Sequence, residues 1–141
     1  MKTLITMILL FITIELFAPV NHITHLFVFE PVNPYESLFK AVCTQESNCN
    51  EMAINEKEQA YGISQIRQIR LDDYYRLTGI KYELKDCLNI SISKEIFMYY
   101  ASRYGHNDLG RIARKWNGSG VMTFIYWNKV QKIMHKNYSY S

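Results

Sequence analysis

Glu46 is the acidic side chain whose position in the sequence best suits acid–base chemistry. It follows an apolar helical stripe and precedes a break in that pattern. Its carboxyl could therefore point from the end of a core helix into a cleft. Apolar walls disfavour ionisation of a carboxyl group, which keeps a general acid protonated near neutral pH. The same pattern also fits a helix-end glutamate that caps the helix or forms a surface ion pair.

The cysteines and histidines do not predict a metal site. The cysteines are too few and too irregularly spaced for a zinc pattern, and the histidines share no ligand spacing with one another or with them. These residues are Cys43, Cys49 and Cys87, and His22, His25, His106 and His135. We expect neither a metal nor a cofactor. Cys43 and Cys49 are close enough in sequence to form a disulfide, but small buried thiols would fit equally well.

Composition limits the chain to one ordinary domain. Its 141 residues are 48% hydrophobic and 21% charged, which excludes disordered, collagenous and polytopic proteins. Residues 103–141 carry seven basic side chains against one acid, Asp108, whereas the rest carries nine against twelve. The basic end could face an anionic polymer or surface, or it could be the solvated side of helices.

The first twenty residues predict a signal peptide or a membrane anchor. Lys2 precedes a mostly apolar run from Leu4 to Val20, although Glu15 would be costly in lipid and the cleavage site is poor. A buried apolar strand or helix is the third possibility. A signal peptide or a membrane anchor would place the domain that follows outside the cytoplasm. Residues 21–33 then form a linker, 34–136 the domain and 137–141 a tail.

The domain pattern is that of a small, mainly helical protein. Asn33 can cap a first helix, with Pro34 at its first position and Glu36 reaching back to the cap. The buried stripe of that helix consists of Leu38, Phe39, Val42 and Cys43. Residues 51–64 show no clear period and predict a long ordered loop with short extended pieces.

Four more segments predict the remaining helices. Residues 71–77 form one that stops at Gly79, and residues 89–104 form the next, with Gly105 as its stop. Asn107 can cap a helix over 109–116. Residues 123–135 form the last helix, with Tyr126 and Val130 directed inward. Trp116 and Trp127 are expected in the core rather than as sugar platforms.

Four motifs in this order resemble the soluble lytic transglycosylase domain of the lysozyme-like superfamily. The resemblance covers residues 35–133, and it is closest to the small phage- or mobile-element-type members. The motifs are Gln45-Glu46-Ser47-Asn48 followed by Ala53; Ala60-Tyr61-Gly62-Ile63-Ser64-Gln65-Ile66; Ala113-Arg114-Lys115-Trp116-Asn117-Gly118; and Thr123-x-x-Tyr126-Trp127-x-x-Val130. The implied fold is an α+β lysozyme-like one that is mainly helical.

The resemblance implies a role for five side chains. Glu46 would be the acid and base that cleaves the glycan between N-acetylmuramic acid and N-acetylglucosamine, leaving a 1,6-anhydro ring. Ser47 would hydrogen-bond near it and Gln65 would bind substrate amides or hydroxyls. Asn117 would shape the cleft, and Tyr126 would direct its hydroxyl at the catalytic carboxyl or the sugar. Each of these last four residues also has a structural alternative. Ser47 could cap the turn after the helix, and Gln65 could be a solvated helix residue. Asn117 could be only a turn residue and Tyr126 only a core residue.

Two positions depart from the family pattern. Met122 stands where members often have a glutamate, which removes a possible support for the site, and Asn48 replaces a frequent glycine. Asp72 and Asp73 are the candidates for a second carboxylate, which a hydrolase of the inverting type would hold about 6.5–9.5 Å from the first. Their alternative role is that of acids in the first turn of a helix.

The resemblance implies peptidoglycan glycan strands as the partner and no nucleic acid. The leading hypothesis is an exported lytic transglycosylase, in the periplasm, the cell envelope or outside the cell. The alternatives are a lysozyme-type muramidase on the same fold and a non-catalytic component of a secretion, conjugation or phage apparatus. The N-terminal segment could attach the protein to a membrane.

Overall fold

The first helix, α1, spans Glu36–Ser47 in the computed structural model, which describes residue 33 and residues 35–104 and 107–138. Its predicted stripe is buried, since Leu38, Phe39, Val42 and Cys43 are each at most 5% exposed. The described residues leave out the predicted leader and residues 21–32 of the predicted linker. They also leave out Pro34, Gly105 and residues 139–141. Their predicted roles stay predictions.

The start of α1 differs from the prediction. The side chain of Asn33 accepts a hydrogen bond from the Tyr35 backbone N–H at 2.9 Å, and the helix begins only at Glu36. Glu36 therefore does not reach back to a cap. Lys94 Nζ instead donates to both of its carboxylate oxygens at 2.8 Å. Glu36 therefore pairs with a residue distant in the sequence, Lys94, and not with the backbone at the start of its own helix.

A three-stranded antiparallel sheet follows α1, where short extended pieces were predicted. The strands β1 (Ile54–Asn55), β2 (Ala60–Tyr61) and β3 (Ile66–Arg67) lie in the order β1-β2-β3. Tyr61 pairs with Ile54 on one side and with Ile66 on the other. The sheet holds the segment between β2 and β3 beside the end of α1, where Ser47 Oγ donates to the Ile63 carbonyl at 2.8 Å.

Two helices and a 3₁₀ turn complete the middle of the domain. Helix α2 spans Gln68–Thr78 and ends at Gly79 in the left-handed conformation, as predicted, but it begins three residues earlier. A 3₁₀ helix covers Leu84–Leu88, and α3 spans Ile90–Tyr104. On α3, Ile96 and Tyr100 are buried, whereas Ile92 and Tyr99 are only partly buried.

The last two helices are α4 (Leu109–Asn117) and α5 (Met122–Tyr138). The predicted cap of α4 is wrong by one residue. Asp108 is the cap, and its Oδ1 accepts the Arg111 N–H at 2.8 Å, whereas Asn107 has a positive φ one position earlier. The aspartate carboxylate also suits the positive end of the helix dipole.

Helix α5 packs against both α1 and α4, so the two ends of the domain share one core. The Trp116 ring packs edge-on against Phe97 and Tyr100 and is 7% exposed. Trp127 lies against Gly110. The mainly helical α+β fold predicted from the sequence is confirmed. None of the described helices has the length and apolar character to span a bilayer.

Candidate active site

Glu46 lies in the last turn of α1, and the way that helix ends sets its position. Asn48 adopts the left-handed conformation with φ 53°, and its N–H donates to the Thr44 carbonyl. The N–H of Cys49 then donates to the Cys43 carbonyl. Asparagine tolerates this backbone better than most residues with a side chain, which explains how it can stand where the family often has glycine.

The Glu46 carboxyl is half-buried and has one tight partner. Tyr126 of α5 donates its hydroxyl to Oε1 of Glu46 at 2.7 Å. Tyr126 itself is 8% exposed, so its ring is part of the core while its hydroxyl reaches the site. This contact leaves Oε2 of Glu46 to carry a proton.

Opposing effects act on the ionisation of Glu46. Burial is the largest and raises the pKa of its carboxyl above the ordinary glutamate value. The hydrogen bond from Tyr126 and the charge of Arg67 oppose this, because both favour the carboxylate, while the charge of Glu58 adds to the increase. The net direction is upward, as a general acid requires. Burial and the negative charge of Glu46 also raise the pKa of the Tyr126 hydroxyl, so tyrosine stays the donor.

Gln65 lines the same cleft as Glu46 and lies in the turn between β2 and β3. It has a positive φ of 51°, and its Nε2 donates to the backbone carbonyls of Gly62 at 2.9 Å and Ala53 at 3.3 Å. The backbone therefore fixes the amide group and leaves its carbonyl oxygen as an acceptor for a ligand. The predicted alternative, a solvated helix residue, is wrong, because Gln65 precedes α2.

Gly62 allows this turn to approach the 3₁₀ helix. Its φ is +78°, and a Cβ atom added there would lie 1.8 Å from the Cys87 carbonyl oxygen and 3.1 Å from Ser93 Oγ. Only a residue without a side chain fits at this point. The glycine of the second motif thus supports the turn from which Gln65 projects.

A cleft joins three of the five predicted site residues. Glu46, Gln65 and Asn117 all line it, and Asn117 reaches it from the last residue of α4. Tyr126 contacts Glu46 from the interior. Ser47 does not line the cleft, since its hydroxyl ties α1 to the sheet segment. The remaining lining residues are Ile66, Arg67, Ile69, Arg70, Trp116 and Gly118.

Two cations of the cleft were not singled out from the sequence. Arg70 braces one wall: its guanidinium lies 4.5 Å from the Tyr100 ring centre and 4.7 Å from that of Trp116, and it donates to the Trp116 carbonyl at 2.8 Å. Arg67 forms an ion pair with Glu58 at 2.7 Å. The signal available in the sequence was two arginines three residues apart directly after Gln65.

Asp72 and Asp73 do not line the cleft. They are the fifth and sixth residues of α2, so they are not first-turn acids either. Asp72 accepts a hydrogen bond from Gln68 at 2.8 Å, and Asp73 pairs with Arg76 at 3.1 Å. Met122, at the position where relatives often carry glutamate, is largely exposed and also lies outside the cleft lining.

The three cysteines are free thiols, with Cys43 and Cys87 buried and Cys49 exposed. Within the described ranges, no three histidine, cysteine, aspartate or glutamate side chains are grouped so that they could hold a metal ion.

The cleft offers the protonatable carboxyl of Glu46, the fixed amide of Gln65 and the guanidinium of Arg67. This combination suits acid–base chemistry on an uncharged leaving oxygen.

The chain matches a known protein family over most of its length. The model of the transglycosylase SLT domain matches residues 32–123, a span that includes Glu46, Gln65 and Asn117. No curated protein and no solved structure matches the chain.

Proposed function

The chain belongs to the transglycosylase SLT domain family, and we propose that it is a peptidoglycan lytic transglycosylase with Glu46 as its single catalytic acid and base. The observation that carries the proposal is the half-buried Glu46 carboxyl, held by Tyr126 at 2.7 Å and facing a cleft shared with Gln65 and Asn117. Family membership implies peptidoglycan as the substrate and action outside the cytoplasm.

In the first step, protonated Glu46 donates its proton to the oxygen that joins N-acetylmuramic acid to N-acetylglucosamine. The C1–O bond breaks, and the N-acetylglucosamine side leaves as an alcohol. The acetamido group of the muramoyl residue stabilises the positive charge that develops at C1. The raised pKa of Glu46 supports this step, because it keeps the proton in place at a pH where an ordinary glutamate has lost it.

In the second step, the Glu46 carboxylate accepts the proton of the muramoyl C6 hydroxyl. The C6 oxygen then bonds to C1 and closes a 1,6-anhydro ring, which returns Glu46 to its protonated form. No water is consumed. The hydroxyl of Tyr126 stabilises the carboxylate between the two steps, because a hydrogen bond to a charged acceptor is stronger than one to a neutral acceptor.

The other site residues have supporting roles in this proposal. The Gln65 carbonyl oxygen accepts from an amide or hydroxyl of the sugar, since the backbone occupies its amide nitrogen. Asn117 shapes the part of the cleft that α4 contributes. Ser47 acts through position alone, by tying the end of α1 to Ile63.

The muramidase alternative has one observation in its favour. An inverting hydrolase needs a second carboxylate that activates water, and the charge of Glu58 acts on Glu46. Glu58 does not line the cleft, however. We therefore favour the transglycosylase. We also propose that residues 1–20 are a signal peptide or a membrane anchor that places the domain outside the cytoplasm. Cell-wall remodelling, secretion or conjugation machinery, and phage entry or lysis are alternative settings for such an enzyme.

Mass analysis of the fragments released from purified peptidoglycan tests the proposal. We expect anhydro-muropeptides, which are one water lighter than reducing-end products. Glu46→Gln should abolish their release while keeping an acceptor for Tyr126, and the exposed Glu51→Gln serves as the matched control. Reducing ends alone would support the muramidase. Wall binding by the wild-type protein without release of fragments would support the non-catalytic component.

A further inference from the structure

Arg67 is a cation of the cleft that is held loosely. Its backbone is fixed, because it closes β3 opposite Ala60. Its side chain is 51% exposed and contacts the equally exposed Glu58 through Nη2 at 2.7 Å. An ion pair between two half-exposed side chains contributes little to stability, since water solvates both partners when they separate. Arg67 can therefore exchange Glu58 for another carboxylate at small cost.

Arg70 shows the contrast within the same cleft. Its guanidinium lies over two aromatic rings and donates to the backbone carbonyls of Trp116 and Lys115. Removing Arg70 from those partners would disturb the wall of the cleft. Of the two arginines that line the cleft, Arg67 is the one free to bind a ligand.

The proposed substrate brings carboxylates to this position. A peptidoglycan strand carries a short peptide on its muramoyl residues, and these peptides bear free carboxylates. A muramoyl residue must lie beside Glu46 for cleavage, and Arg67 lines the same cleft as Glu46. A guanidinium presents a planar fork of N–H donors that matches a carboxylate with two hydrogen bonds.

We propose that Arg67 is a substrate-binding residue that recognises a carboxylate of the muramoyl-linked peptide, and that Glu58 occupies it in the absence of substrate. This proposal rests on the proposed function, because it takes peptidoglycan as the ligand. Glu58 lies in the turn between β1 and β2 and acts as an internal competitor. The exchange replaces one carboxylate by another, so the charge around Glu46 stays balanced when substrate binds.

The test compares two forms of the same substrate. Soluble uncross-linked peptidoglycan strands are used as such and after their carboxyl groups have been converted to amides with a carbodiimide and ammonium ions. We expect the wild-type protein to prefer the native strands. Arg67→Gln should lose about fivefold in kcat/KM on native strands, chiefly through KM, and most of the preference with it. Arg67→Lys should keep part of the preference.

Two further variants sharpen the experiment. Glu58→Gln removes the internal competitor and should lower KM for native strands. Arg76→Gln is the matched control, because it removes an arginine from a surface ion pair with Asp73 that lies outside the cleft lining. An unchanged preference in Arg67→Gln overturns the proposal. Loss of all activity in Glu58→Gln on both substrates would overturn the competitor role and favour a catalytic base at that position.

Binding separates this proposal from the proposed function. The fraction of protein that sediments with native and with amidated peptidoglycan is measured for the same variants. If the wild-type protein releases no fragments but prefers native peptidoglycan through Arg67, the proposed function fails and the carboxylate site stands. If fragments are released and neither readout depends on Arg67, the site fails and the proposed function stands.

Discussion

The hydroxyl of Tyr126 lies 2.7 Å from Oε1 of Glu46 and joins two side chains that are 80 positions apart in the sequence. It connects the final helix of the domain to the end of the first. The contact opposes the effect of burial on Glu46, because it stabilises the ionised carboxyl. Tyr126 therefore sets how far the pKa of Glu46 rises as well as where its carboxyl points.

Tyr126→Phe should move the pH dependence of activity toward higher pH. Phenylalanine keeps the buried ring but removes the hydrogen bond that lowers the pKa of Glu46, so the carboxyl holds its proton to a higher pH. The loss of activity on the alkaline side, which follows the loss of that proton, should shift accordingly. The lost hydrogen bond should also lower the free energy of unfolding by about 1 kcal/mol.

A pH–rate profile of fragment release checks this prediction. Tyr75→Phe is the control, because Tyr75 is an exposed tyrosine of α2 that lies outside the cleft lining. A shift of the alkaline limb toward lower pH in Tyr126→Phe would mean that the hydroxyl favours the protonated form of Glu46, contrary to the geometry.

Glu46→Gln should stabilise the protein more as the pH rises. Burial raises the pKa of Glu46 above its ordinary value of 4.5. Between the pKa of Glu46 in the unfolded chain and its raised pKa in the native protein, the native state holds a proton that the unfolded chain has released. The wild-type free energy of unfolding therefore falls with increasing pH in that range. Glutamine carries no charge at any pH and avoids this loss. The free-energy difference between variant and wild type should grow from about pH 4.5 upward and then level off.

Urea unfolding of the two proteins over pH 4–8 measures that difference. Glu51→Gln controls for the removal of one negative charge from an exposed position. A difference that stays constant over the range would show that Glu46 ionises equally in the folded and unfolded states, and would contradict the role of burial.

The fold was predictable where neighbouring residues determine it. The apolar stripe of α1, the glycine stop of α2 and the helical pattern from Leu109 to Trp116 are all local signals, and each matches the structure. The cap of α4 was missed because asparagine and aspartate stand side by side at 107 and 108, and only the backbone decides between them. The ion pair of Glu36 was not predictable from local sequence, because its partner, Lys94, lies 58 positions away.

The site followed the same rule. Family motifs pointed to Glu46, Gln65, Asn117 and Tyr126. The first three line one cleft, and Tyr126 donates a hydrogen bond to Glu46 from the interior. No motif pointed to the pairing of Arg67 with Glu58, because it depends on how the short strands of the sheet align. The sequence favoured Asp72 and Asp73 as a second carboxylate, whereas the negative charge that acts on Glu46 is that of Glu58.

One thiol should react in the native protein and three in the unfolded one. Cys43 and Cys87 are buried, and burial raises the pKa of each thiol to about 12, which leaves almost no reactive thiolate. Cys49 is exposed. Titration with a coloured disulfide reagent, before and after addition of denaturant, counts the thiols. A count of none in the native state and one after unfolding would instead indicate a Cys43–Cys49 disulfide.

Gly62→Ala and Gly79→Ala should differ sharply although both glycines have nearly the same backbone conformation. Their φ angles are +78° and +76°, so the left-handed backbone costs each alanine about 1 kcal/mol. Only at Gly62 would the new Cβ meet another part of the chain, 1.8 Å from the Cys87 carbonyl oxygen, whereas nothing lies within 4 Å at Gly79. Overpacking against backbone adds about 1–3 kcal/mol.

Urea unfolding should therefore show a loss of about 2–4 kcal/mol in Gly62→Ala and about 1 kcal/mol in Gly79→Ala. Activity separates them further, because the Gly62 carbonyl accepts from both the backbone N–H and the Nε2 of Gln65. Moving Gly62 away from the 3₁₀ helix moves the Gln65 amide, which lines the same cleft as Glu46. We expect fragment release to fall in Gly62→Ala under conditions where it remains folded, and to stay near the wild-type rate in Gly79→Ala. Equal losses in the two variants would show that the contact with Cys87 does not hold this turn in place.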